Sequence, residues 1–417
     1  MTMPGFARLW RRWGRQQNAQ SGWDSRVHVI RLRSIHEIDE RLWDAVNEME
    51  DLFHTHRFIR SVEDAELESS RFWYLLFYLD DRPVGSAVLS SFLVSLDLLV
   101  EGVLRKFIGP VRRWFPRFLR VNILFCGLPV SIGKNALTIS EPSCNESILR
   151  LLVGEMEKIG RQEGIQFLCI KEFLRSETKL MDPVTRYGFF RSNSLPSMRM
   201  EIRWKNFESY LASMRHVYRR PIVRSLRKLE TSKPPIRISS ASKVDPGKPV
   251  LVLADSLACP PKEFYRLYLN VMDRAKVKFE VLNESFFANV RKNMDGELEL
   301  LAVMKERKVL AAALLGTGRE DMVFLLAGID YSERDEYDAY FNLIYGIVSL
   351  AIERGYSCLD LGQTPYWVKQ RIGGEPLSVY FYMRSERWYL HRCLKTLRPF
   401  LFPERRLQPI RVFRGRC

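Results

Sequence analysis

Residues 340–362 read YFNLIYGIVSLAIERGYSCLDLG, and the fold turns on how this stretch is read. Phe341, Ile344, Tyr345, Val348, Ala351 and Ile352 recur at three-to-four spacing, which predicts a helix with one apolar face. Gly355 stands where a helix C-terminus favours glycine, and the apolar run behind it predicts a buried strand ending at Gly362. Ahead of this pair, LELLAVMKERKVLAAALLGTG (298–318) is an apolar run, a charged turn at KERK and a second apolar run, the pattern of a mostly buried antiparallel hairpin.

The same layout occurs earlier in the chain. FWYLLFYLDDRPVGSAVLSSF (72–92) is a hairpin turning at DDRP, and ILRLLVGEMEKIGRQEGIQFLCIKE (148–172) is a helix stopped by Gly164 and followed by an apolar strand. A hairpin, then helix and strand, written twice predicts tandem related α/β domains. The expected division is a basic N-terminal segment (1–27), a first domain (28–203), a second domain (204–385) and a basic amphipathic tail (386–417). The first copy is longer by roughly 35 residues between hairpin and glycine, an insertion expected on the surface. It includes SLDLLVEGVLRKFIGPVRRWFPRFLR (95–120), which reads either as a basic interfacial helix or as a helix packed on its own domain with arginines outward.

A chain of 417 residues suits two cores better than one, and 46% hydrophobic residues are ample to build them. The net charge of +16 favours anionic partners such as phosphates, nucleic acid or anionic lipid, without choosing among them. Seven scattered cysteines contain no CxxC pair, which argues against a disulfide framework or a zinc ribbon and for a reducing, cytoplasmic setting. His54 and His56 form the only close histidine pair and lack further ligands, so no metal site is expected. The start of the chain lacks an apolar signal core, and the longest uncharged stretch, 83–96, falls short of the roughly 20 residues that span a bilayer.

Between the copies, WKNFESYLASMRHVYRRPIVRSLRKLE (204–230) predicts two helices. Asn206 caps the first, and Pro221 fits the first turn of the second, where its missing N–H is not needed. That places Arg215, Arg219, Arg220 and Arg224 near a helix N-terminus, an arrangement suited either to an anion or simply to a solvated basic face.

From W-x-x-F-x-x-Y-L (204–211) through the Arg-rich helix, EFYRLYLNVMDR, the second hairpin and the stretch ending QTPYWVKQRIGGEP, the chain resembles the GNAT-fold acyltransferases. Within them it is most similar to the Fem-like group, the peptidoglycan-type aminoacyltransferases with tandem GNAT units. The resemblance implies an α/β protein of two tandem GNAT-like domains, each a central mixed, mostly antiparallel sheet flanked by helices. It also implies an N-acyltransferase whose acceptor cleft opens at the strand after the second helix.

Carried onto this sequence, the resemblance assigns Asp360, Gly362, Gln363, Lys369, Arg371 and Gly373 to that cleft. Acyl transfer to an amine needs a deprotonated acceptor and a stabilised oxyanion. Asp360 is thus the candidate to hold or deprotonate the amine, and Lys369 or Arg371 to meet developing negative charge or a phosphate. Tyr340 and Tyr345 are candidates to protonate the leaving group. Each has a plainer reading: a strand-end carboxylate, solvated cations, a Gly373-Gly374 turn, and for Tyr345 a place on the apolar stripe.

GNAT enzymes that use acetyl-CoA carry an Arg/Gln-x-x-Gly-x-Gly/Ala phosphate loop, whereas QRIGGEP has Gly373 in register but Glu375 in the last small position. The implied donor is therefore an acyl-CoA or an aminoacyl-tRNA, with no tightly bound cofactor. The other reading is a non-catalytic protein of the same fold that holds nucleic acid or an anionic membrane surface. Residues 95–120 and the tail RSERWYLHRCLKTLRPFLFPERR would then make peripheral contact at the inner face of the membrane.

Overall fold

Both predicted hairpins form in the computed structural model, which describes residues 26–47, 51–95, 120–130, 133–231, 233–234, 236–239, 249–254, 258–275 and 281–415. The insertion at 95–120 and the N-terminal segment lie almost wholly outside the described residues. Sixteen strands are described: β1 (Val27–Leu32), β2 (Arg71–Leu79), β3 (Arg82–Ser95), β4 (Arg120–Cys126), β5 (Leu137–Ile139), β6 (Phe167–Leu174), β7 (Phe190–Asn193), β8 (Ser197–Glu201), β9 (Ile236–Ser239), β10 (Pro249–Ala254), β11 (Leu298–Lys305), β12 (Lys308–Thr317), β13 (Asp321–Ile329), β14 (Cys358–Gly362), β15 (Glu375–Leu377) and β16 (Val379–Ser385). β2 turns into β3 at Leu79↔Arg82, and β11 turns into β12 at Lys305↔Lys308.

The strands form two sheets with the same plan. The first runs β1-β2-β3-β4-β6-β16-β7, with β5 added to β3, and the second runs β15-β8-β14-β13-β12-β11-β10-β9. In each, a hairpin is followed by an antiparallel strand, β4 or β13, that pairs in parallel with the strand after a helix, β6 or β14. Each of those last strands then pairs antiparallel with a strand from elsewhere in the chain: β16 completes β6, and β8 completes β14. The sequence places β8 in the first domain and β16 in the second, but their sheet partners are the reverse. The chain accordingly divides into Met1–Glu63, Glu68–Ser194 and Val379–Glu404 as one unit, and Asp64–Leu67, Leu195–Ser378 and Arg405–Cys417 as the other.

The first unit packs the helix Asn145–Glu163 on its sheet through Ile148, Leu152, Met156 and Ile159, and Gly164 ends that helix at φ 69°. In the second unit the helix Ala339–Glu353 fills the equivalent place, with Gly355 just past its end at φ 71°. The expected single apolar face is too narrow for this helix. Ile347, Ser349 and Leu350 are buried as well, because the helices Phe207–Ser213 and His216–Arg227 pack against it opposite the sheet. A helix apolar on nearly all sides is the centre of a core rather than its lid.

The other face of the second sheet carries the helices Pro261–Arg274 and Glu284–Asn293. Gly328 on β13 permits their approach, since a Cβ there would lie 2.6 Å from Leu267 Cβ and 3.0 Å from the helix backbone. Neither neighbour is a flexible chain end, so Gly328→Ala must push helix and sheet apart. The expected loss is about 1–3 kcal/mol of unfolding free energy in a urea titration, and an unchanged midpoint would mean the approach is looser than this.

Candidate active site in the second unit

β13 and β14 pair only at Asp321↔Cys358, Met322↔Leu359 and Val323↔Asp360. Beyond that point β13 continues to Ile329, with a bulge that leaves Leu325 as an extra residue between the pairs Leu314↔Leu326 and Leu315↔Phe324. Bulges bend a strand and re-aim what it carries. Among the described residues no strand pairs with Phe324–Ala327 on the β14 side, and Leu325, Leu326 and Ala327 stay half-buried. The sheet therefore opens a notch where Asp360 sits.

Asp360 is half-buried at the end of β14, and its Oδ1 accepts the Gly362 N–H at 2.8 Å and the Ser197 hydroxyl at 3.4 Å. Arg199 of β8 is its register partner and lies close enough for its charge to act on the carboxylate. Lys369 comes from the short helix Tyr366–Arg371 and is 1% exposed, with its Nζ donating to the carbonyls of Gln363 and Thr364 and lying 5.7 Å from the centre of the Phe324 ring. Burial pulls its pKa down from 10.5 to about 7, against the opposing pull of the Asp360 carboxylate. A lysine so placed exchanges its proton near neutral pH. In the neutral form its two N–H groups satisfy the two carbonyls and leave the nitrogen lone pair to accept a proton.

The other expected site residues separate from this pair. Gln363 donates to the Leu195 carbonyl at 3.0 Å, which ties the loop after β14 to the segment leading into β8. Gly373, at φ 103°, is required by packing, because a Cβ there would lie 2.5 Å from the Phe413 ring. That ring also packs on Trp204 and Tyr210, and Arg215 N, at the start of the helix His216–Arg227, donates to the Val412 carbonyl, so 405–415 belongs to the second unit, anchored by Val412 and Phe413, rather than to a free tail. Gly373 is thus a packing glycine in this structure, and the phosphate-loop register it occupies in sequence coincides with that need.

Tyr340 and Tyr345 do not share a face. Burial raises the pKa of each above the usual phenol range; Tyr340 is set beside Tyr331, and Tyr345 lies within reach of the charges of Asp338, Arg371 and Arg224. Five positions apart on one helix, the two side chains point in different directions.

Arg371 belongs with a second group of residues. Its guanidinium lies 5.2 Å from the Tyr218 ring centre and 4.9 Å from that of Trp367, which is 62% exposed. Trp367 and Arg371 are four apart on one helix and so neighbours on its surface; Tyr218 comes from the helix His216–Arg227. That helix begins after Arg215, earlier than Pro221 suggested, because Tyr218 N and Arg219 N already bond to the Arg215 carbonyl. Pro221 therefore lies inside it, and Arg224 sits in its last turn, not near its N-terminus. Arg215 and Arg220 are exposed and Arg219 half-buried, and Arg224 lies close enough to Tyr345 for its charge to act there, as does Arg371. Tyr218, Trp367, Phe324 and Arg199 were not singled out from the sequence; the W-x-K-x-R spacing at 367–371 was the available signal for Trp367.

The histidine pair is occupied locally. His54 Nε2 lies 2.5 Å from the Asn135 carbonyl, and His56 Nε2 3.0 Å from that of Ile35. Among the described residues no group of His, Cys, Asp and Glu is placed to hold a metal ion, and no helix is long and apolar enough to cross a membrane.

Residues 217–370, which carry the opened sheet together with Asp360 and Lys369, match the family model described as Acetyltransferase (GNAT) domain. The chain as a whole has a tandem GNAT-like fold, two mixed sheets flanked by helices. Its fold is similar to that of the crystal structure of FemX, at TM-score 0.53 and 14% identity, over 85% of this chain and 96% of that one. It is also similar to the C-terminal domain of "Putative Lysylphosphatidylglycerol Synthetase" from Agrobacterium fabrum, at TM-score 0.50 and 11% identity, over 87% and 97% of the two chains. In sequence, 339 residues are 27% identical to "Putative 8-amino-7-oxononanoate synthase 2" of Mycobacterium tuberculosis, covering 79% of this chain and 42% of that protein. The chain thus spans less than half the length of that curated relative.

Proposed function

We propose that this chain is an N-acyltransferase in which the second unit transfers an acyl or aminoacyl group from a phosphate-bearing carrier, a CoA thioester or an aminoacyl-tRNA, to an amine. The observation that carries this reading is a carboxylate, Asp360, whose charge acts on the buried Lys369 where β13 and β14 part, inside the stretch that matches the GNAT model. Asp360 attracts the acceptor ammonium. Lys369 in its neutral form takes up the proton the amine must lose before its lone pair attacks the acyl carbonyl. The unpaired edge of β13 at Phe324–Ala327 offers backbone donors and acceptors to an extended amide-bearing donor arm.

The carrier's phosphates fall to Arg371 and Arg224 rather than to Lys369, which is buried and already bonded to two carbonyls. A guanidinium suits phosphate through its planar fork of donors. Trp367, stacked on Arg371 and largely exposed, gives a nucleobase or adenine ring a face to lie on.

Calorimetric titration of acetyl-CoA, longer acyl-CoAs and free CoA into the purified protein tests the carrier. Saturable binding that weakens roughly 10-fold in Arg371→Gln, with the melting temperature kept, is the expected result for a CoA donor. Binding absent for every CoA but present for aminoacyl-tRNA, with the same loss in Arg371→Gln, would select the other carrier. Binding to neither would sink the transferase reading.

A further inference from the structure

We infer that the helix Trp388–Leu401 is a docking surface for an anionic lipid membrane. None of its 14 residues is buried. Trp388 is 76% exposed and Phe400 80%, with Tyr389 and Leu397 also exposed. At 3.6 residues per turn these four fall within one half of the helix circumference. The opposite half is what holds the helix in place: Leu394 packs on the cluster of Phe92, Phe125 and Phe381, His391 lies 5.6 Å from Phe190, and just past the helix Phe402 meets Phe381 at 4.8 Å. The helix is thus fixed to the first unit's sheet by one side and presents aromatic rings to solvent on the other.

Charge selects the occupant. Arg387, Arg392, Lys395 and Arg398 are exposed, and no acidic residue occurs between Glu386 and Glu404. A second copy of this chain laid against the same face would bring like charges together. A nucleic acid would be attracted by the arginines, but Leu397 gives a base nothing to stack on. Large aromatics with an aliphatic neighbour, flanked by exposed basic side chains, are the composition of a helix lying in the headgroup region of an anionic bilayer. This contact is independent of the transferase reading, since the helix belongs to the first unit.

The test is co-sedimentation of the full chain with vesicles of phosphatidylcholine alone and with about 30% phosphatidylglycerol, at low salt and at about 0.5 M salt. The expected result is binding to the anionic vesicles that salt releases. Trp388→Ser with Phe400→Ser should weaken it by roughly 10-fold, and Arg392→Gln with Lys395→Gln by a similar factor, while all four exposed positions leave the melting temperature unchanged. Equal binding to neutral and anionic vesicles would overturn the proposal. So would anionic binding that both variants retain, or wild-type binding to tRNA and not to vesicles that the same variants abolish.

Discussion

Asp360→Asn is expected to lower acyl transfer by roughly 10²–10⁴-fold, the usual contribution of a positioned acid or base, while the protein stays folded. The substitution keeps the shape of the side chain and an acceptor oxygen for the Gly362 N–H and the Ser197 hydroxyl, so the turn after β14 survives. What it removes is the negative charge at the notch. The acceptor ammonium then has no carboxylate to draw it in, and Lys369 loses the nearby negative charge that favours its protonated form. Two readouts separate this from a merely structural role. Donor binding should be unchanged, because Arg371 and Trp367 belong to a different group of residues. The pH at which any residual rate changes should move downward, since without the carboxylate the effect of burial on Lys369 is less opposed. A variant that turns over at the wild-type rate would remove Asp360 from the chemistry and leave it as a strand-end cap.

The repeat was legible because it is local: apolar runs, a charged turn, a helix closed by glycine and a strand are each written within about 25 residues, and both copies form as read. The pairing of β8 with β14 and of β16 with β6 was not, because nothing local to Ser197–Glu201 or Val379–Ser385 names the sheet each joins. Alternation specifies a strand's faces and says nothing of its neighbour. Pro221 misled for a related reason. Proline favours a first turn but does not define one, and the backbone bonds to the Arg215 carbonyl start the helix a turn and a half earlier. At the site, Asp360 and Lys369 could be named from the end of a strand and a resemblance. That Lys369 would be buried behind the Phe324 ring of β13, and that Arg371 would meet Tyr218 from a helix more than a hundred residues away, depends on tertiary contacts that no local pattern shows.

Lys369→Met is expected to abolish transfer and to change how stability responds to pH, and the two effects have one origin. The folded protein holds Lys369 at a pKa of about 7, whereas the unfolded chain restores it to near 10.5. Between those values the unfolded state binds one more proton, so this residue makes stability rise with pH from about 7 to about 10.5. Below about 7 the lysine is charged in both states and the full cost of burying that charge is present; above about 10.5 it is neutral in both and the cost is gone. Methionine fills the same space without a charge, so its variant should lack this rise when denaturation midpoints are compared at pH 7 and pH 9.5. It also leaves the Gln363 and Thr364 carbonyls without their donor, which offsets part of the gain at low pH. The catalytic effect carries the matching sign: wild-type turnover should climb as pH passes through about 7, where neutral Lys369 becomes the majority form, and then level off. A wild-type rate flat from pH 6 to 8, together with parallel stability curves for the two proteins, would show that Lys369 keeps its proton throughout and serves only to hold the loop after β14.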